Sequence, residues 1–150
     1  MDRNDARAAL DAVKSTDRRM ADRMKWPLWR HAAFGGIEAV FLLGLALPPA
    51  AMAACLVIAT AGISIVIHDD RKRHGMFVSG YSSNAAKPAL YLAFAILAAG
   101  LAAIILTGGI NQWTNWVPLI VVIVFVGETL ASLWWQSLAQ ADLQAGGGDE

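Results

Sequence analysis

Four runs of apolar residues, at about 32–47, 51–67, 88–107 and 117–133, divide the chain, and none carries the polar stripe by which a soluble amphipathic helix faces water. Each run is about 16–20 residues long. At about 1.5 Å per residue, about 20 residues cross a hydrocarbon core of about 30 Å. The shorter runs reach that length with flanking Trp, His and Pro residues in the headgroup layer. The pattern predicts an all-α integral membrane protein of four transmembrane helices, with spans at about 30–48, 50–68, 88–107 and 116–136.

The connections alternate in character. Residues 47–50 (Leu-Pro-Pro-Ala) make a tight uncharged turn, and residues 107–116 a short polar loop. Residues 68–87 form a longer, charged connection. Spans one and two, and spans three and four, are therefore expected as two antiparallel hairpins. Together they form a bundle over residues 28–136. A tail over 137–150 starts as helix and ends in a Gly-rich, acidic stretch expected to be disordered.

Ahead of the spans, residues 1–27 read as a cytoplasmic amphipathic helix. Asn4 or Asp5 can cap it. Leu10, Val13, Met20 and Met24 then recur at helical spacing, interrupted by Asp17, with Asp11, Lys14, Arg18, Arg19, Asp22 and Arg23 on other faces. Such a helix can lie on the inner leaflet, pair with its counterpart in a second copy, dock a partner or simply stay solvated. Pro27 punctuates the chain before span one.

Charge orients the spans. Of twelve Lys and Arg residues, eight lie in residues 1–30 and the other four are Arg71, Lys72, Arg73 and Lys87. The two remaining connections carry none. The positive-inside rule puts both termini and the middle connection in the cytoplasm of a bacterial-type inner (plasma) membrane. The six Trp agree: Trp26 and Trp29 precede span one, Trp113 and Trp116 precede span four, and Trp134 and Trp135 close it. Indoles favour such interface positions. A cleavable leader is the competing reading of span one, because residues 47–53 are small and Pro-rich. The mixed charge of the first thirty residues argues against it.

Two acids interrupt the apolar spans, and they are the main candidates for chemistry. Glu38 lies eight residues beyond Arg30, and Glu128 eight residues before Gln136. In oppositely running spans both sit roughly 12 Å inside the cytoplasmic boundary by helical rise. A carboxyl in hydrocarbon is buried in the bundle, protonated or working. Such a pair can share a proton or hold a cation, with Ser132 one turn from Glu128 as a hydrogen-bonding partner. The competing expectation is a neutral clasp hydrogen-bonded to a neighbouring helix.

The run His68-Asp69-Asp70-Arg71-Lys72-Arg73-His74 holds metal-ligating residue types, but three cations among them oppose a metal ion. Asp69 and Asp70 are expected to pair with Arg71 and Arg73. Arg71, Lys72 and Arg73, with Trp26, Trp29, Trp134 and Trp135, are expected to contact lipid headgroups. His31, beside Arg30, reads as an interfacial residue. Cys55 is the one cysteine, so no disulfide forms within a chain. Residues 75–84 suggest a re-entrant or surface-lying turn anchored by Phe77 and Tyr81.

No phosphate-binding loop or Gly-x-Ser-x-Gly motif is present, and Ser64 and Ser79 lack a His partner. Near-neutral net charge gives no nucleic-acid face. Neither an enzyme, a cofactor nor a metal is expected. Ala51, Cys55 and Ala59, then Ala95, Ala99 and Ala103, form small-residue stripes; Gly35 with Ala39, and Gly127 with Ala131, are single pairs that permit close helix approach.

Ile37-Glu38-Ala39 and the span count resemble the small multidrug resistance exporters, in which such a Glu exchanges protons for cationic drugs. The long N-terminal segment, the central connection and the second Glu depart from that pattern, and membership is not assigned. The first expectation for function is an accessory or interaction subunit of a membrane complex, with membrane lipids and a homo-oligomer or larger assembly as partners. The alternative is a homo-oligomeric proton- or cation-coupled transporter or channel using Glu38 and Glu128.

Overall fold

The computed structural model describes residues 25–74 and 84–145 and, ahead of them, residues 4, 5, 7–9, 12, 15 and 16. Four long helices make up the described bundle: α1 (Leu28–Leu45), α2 (Pro49–His74), α3 (Lys87–Leu106) and α4 (Val117–Ala145). Each is long and apolar enough to cross a membrane, and no strand occurs among the described residues. The architecture is that of a multi-pass membrane protein.

The described residues of the N-terminal segment are helical and exposed, and Ser15 and Thr16 donate to the Ala12 carbonyl at 2.8 and 2.9 Å. The apolar stripe expected there (Leu10, Val13, Met20 and Met24) lies outside the described residues, as do the turn around Phe77 and Tyr81 and the last five residues.

α1 and α4 form the centre of the bundle. α2 packs on α1, α3 packs on α4, and α2 and α3 share no packed interface among the described residues. Small residues let the central pair approach. A Cβ on Gly35 would stand 2.5 Å from both the Phe125 carbonyl oxygen and Thr129 Oγ1, so only glycine fits that crossing. Cys55 and Ala59 of the α2 stripe face inward: Cys55 Cβ sits where a Cβ on Gly44 would clash, and Ala59 is buried. On α3 the pattern differs, because Ala95 and Ala99 are exposed.

Two apolar clusters hold the ends. Leu42, Ile104 and Val124 pack at the turn end, while Ala86, Ala89, Trp135 and Ala139 pack at the basic end with Trp26 against them. At the turn end, Asn111 adopts a positive φ of 54° and donates its N–H to the Leu45 carbonyl at 2.8 Å. The α3–α4 loop thereby satisfies one of the carbonyls that the end of α1 leaves open.

The charged run of residues 68–74 differs from the expected connection. It continues α2 as helix through His74. Asp, Arg and Lys are tolerated in helices, and no Gly or Pro intervenes before Gly75.

Candidate functional site

The site occupies the basic half of the bundle, where α1 meets α4. The buried stripe of α4 comprises Val117, Val124, Glu128, Ala131, Trp135 and Ala139. Glu128 thus takes a core position between the two apolar clusters. It is 1% exposed, and neither carboxylate oxygen has a hydrogen-bond partner among the described residues. Glu38 is half-buried on α1, the helix packed against α4. A neutral clasp would require a hydrogen bond that Glu128 does not make among the described residues.

One turn along from Glu128, Ser132 Oγ lies 2.8 Å from His31 Nδ1. One turn further, Gln136 Oε1 lies 2.8 Å from His31 Nε2 and 3.3 Å from the Trp26 backbone nitrogen. The Trp26 N–H can only donate, so the Gln136 atom it meets is the oxygen. His31, 0% exposed, is consequently bonded on both ring nitrogens, and α1 is tied to α4. The position expected at the membrane edge thus turns into the bundle, and His31 serves there as a buried bridge. The signal that could have found it is the i, i+4, i+8 polar series Glu128, Ser132, Gln136 on an otherwise apolar span, which demands a polar partner on the facing helix.

Above this layer Arg30 grips Asp70. Its Nε donates to Oδ1 at 2.8 Å and its Nη2 to Oδ2 at 2.6 Å. Asp70 therefore pairs with Arg30 across α1 and α2, where a neighbour in the charged run was expected; α2 remains helical here and turns Asp70 into the bundle, where it is 3% exposed. The Arg30 guanidinium also stands 3.4 Å from the centre of the Trp26 ring, which stacks on Trp135 at 5.4 Å.

Of the expected headgroup contacts, Trp29, Trp134, Arg71 and Lys72 are exposed. Trp135 is buried and Trp26 half-buried, both committed to the stack. The Arg73 side chain lies outside the described residues.

A cavity of about 280 Å³ lies over the α1–α4 seam, walled by apolar side chains of α2 and α3. Trp26, Arg30, Phe34, Glu38, Ser132 and Trp135 are among the residues of the seam that line it. With Arg30 held by Asp70, Glu38 is the charged group in it without a counterion among the described residues. No three His, Cys, Asp or Glu side chains gather as a metal site would need among the described residues. The geometry brings His31, Ser132 and Gln136 together, with Glu128 one turn from Ser132 along α4 and Glu38 lining the same cavity as Ser132.

No known protein family, characterised protein or solved structure matches the chain.

Proposed function

We propose that the chain is a multi-pass inner-membrane protein whose working centre is the acidic pair Glu38 and Glu128, a proton- or cation-handling site. In this reading the spans form two antiparallel hairpins, both termini face the cytoplasm, and an amphipathic helix over residues 1–27 lies ahead of span one. Support for the orientation comes from the confinement of all Lys and Arg residues to the N-terminal segment and the middle connection.

The carrying observation is Glu128: fully inside the bundle and without a hydrogen bond among the described residues, while a second carboxyl, Glu38 of the helix packed against it, lines a cavity. Leaving a buried polar group unbonded costs about 1–3 kcal/mol. A chain that carries this cost in the middle of a span has use for the carboxyl, since intramembrane ionisable residues mark ion and proton paths. Two carboxyls in mutual reach can share one proton or hold one cation between them. Four helices rarely enclose a whole pathway, so transport calls for a homo-oligomer.

Reconstituted full-length protein tests this reading. In proteoliposomes holding a pH-sensitive dye, an imposed proton gradient should collapse faster than in empty vesicles. Glu38→Gln and Glu128→Gln should each abolish the difference. A wild type that dissipates nothing, or variants that match it, would remove the reading.

A second reading, an accessory subunit of a membrane complex, is favoured by the exposed small-residue stripe of Ala95 and Ala99 on α3. Mass measurement after gentle detergent extraction reports foreign partners and self-association together. Deleting residues 1–25 should weaken capture of such a partner; a chain that comes out of the membrane with no partner excludes this reading.

A further inference from the structure

His31 is the buried titratable group that the acidic-pair reading leaves unused, and its hydrogen bonds are asymmetric. Gln136 Oε1 already accepts the Trp26 N–H, so the imidazole nitrogen facing it, Nε2, must carry a hydrogen and donate. In the neutral ring that leaves a bare lone pair on Nδ1, which accepts the Ser132 hydroxyl. An amide oxygen does not take a proton at ordinary pH, so the Gln136 side of the ring is closed to proton transfer. The Ser132 side is open. Ser132 lines the same cavity as Glu38 and stands one helical turn from Glu128.

We propose that His31 is the proton acceptor serving the acidic pair, reached through the Ser132 hydroxyl from the cavity that Glu38 lines. The inference rests on the acidic-pair reading and adds the group with which that pair exchanges a proton. In the step, a carboxyl O–H of the pair breaks and its proton passes, through water that the cavity is large enough to admit, to Ser132 Oγ. The hydroxyl's own proton moves to Nδ1 as it does so. The products are a carboxylate and an imidazolium whose Nε2–H still rests on Gln136. The reverse step uses the same atoms. Gln136 is a positioning residue: held by Trp26, it fixes the tautomer that keeps Nδ1 available.

The charged surroundings of His31 suit a reversible proton. Arg30, its neighbour on α1, is neutralised by Asp70 of α2. On α4 Glu128 lies one turn from Ser132, which His31 meets, and Lys87 of α3 stands at the same basic end, next to Ala86 and Ala89 of its apolar cluster. A purely bridging histidine would need both hydrogen bonds and no change of protonation.

Nitrogen-15 NMR of the full-length protein in lipid bilayers separates the two roles. His68→Asn and His74→Asn remove the only other histidine signals. At alkaline pH the Nε2–H tautomer is expected, and on acidification Nδ1 gains a proton. Ser132→Ala should slow exchange of that Nδ1 proton with deuterated solvent by roughly a hundredfold, the size of a lost proton-transfer group. Ser132→Thr, which keeps the hydroxyl, should restore it. The relay is overturned by a ring that stays singly protonated throughout, or by exchange indifferent to Ser132→Ala. Either result would stand even where Glu128→Gln abolishes flux, which would leave the acidic pair in place without its relay.

Discussion

Arg30 and Asp70, forty residues apart, close into a two-pronged ion pair with contacts of 2.8 and 2.6 Å, and so fasten the first helix to the second at their basic ends. Both side chains are nearly removed from solvent, at 11% and 4% exposure. Breaking such a pair leaves an uncompensated buried charge. Asp70→Ala should therefore cost about 3–5 kcal/mol of stability. Arg30→Lys should also weaken the fold, because an ammonium cannot reproduce the fork or the stacking on Trp26. The double replacement Arg30→Met with Asp70→Leu should recover most of the loss. Denaturant titration in mixed micelles reads all three.

Gly35 sets how closely the central helices approach. Gly35→Ala places a methyl 2.5 Å from a backbone oxygen of α4, which cannot move aside without shifting the helix. A loss of roughly 1–3 kcal/mol is expected from such overpacking. Gly36→Ala, one residue on, meets nothing nearer than 4.0 Å and should be nearly neutral. Comparing the two in the same titration isolates the close approach from helix propensity.

Glu128 should trade stability against function. Glu128→Met fills the same volume without an unbonded carboxyl, and should raise stability by about 1–3 kcal/mol while abolishing proton flux. A fall in stability would mean that the carboxyl holds the bundle together, as a structural clasp does.

Orientation is checked by single-cysteine labelling in sealed right-side-out vesicles. With Cys55→Ala as background, a cysteine at Ala50 or Asn111 should react with a membrane-impermeant thiol reagent added outside. One at Lys72 should react only after the vesicles are opened. The reverse pattern would invert the topology.

The four helices are legible in the sequence because uninterrupted apolar runs of spanning length are rare outside membrane proteins, and Glu38 and Glu128 stand out against them. Their common depth follows from helical rise, but the packing of α1 directly on α4 is not readable, since facing helices leave no mark in a single sequence. For Asp70, the nearest visible partners are the cations beside it in the chain, whereas its real partner lies on another helix. His31 is hidden for a similar reason: beside Arg30 it looks like the edge of the membrane, yet the turn of α1 carries it inward onto Ser132 and Gln136. The charged run of residues 68–74 resembles a loop in composition, although nothing in it breaks a helix.

The most direct test of the central claim is difference infrared spectroscopy of the protein in bilayers as the buffer pH is stepped. A working Glu128 exchanges its proton with solution despite its 1% exposure, and gives a reversible carboxyl C=O band that Glu128→Gln removes. A spectrum identical in the wild type and the variant would show an inert carboxyl and contradict the account.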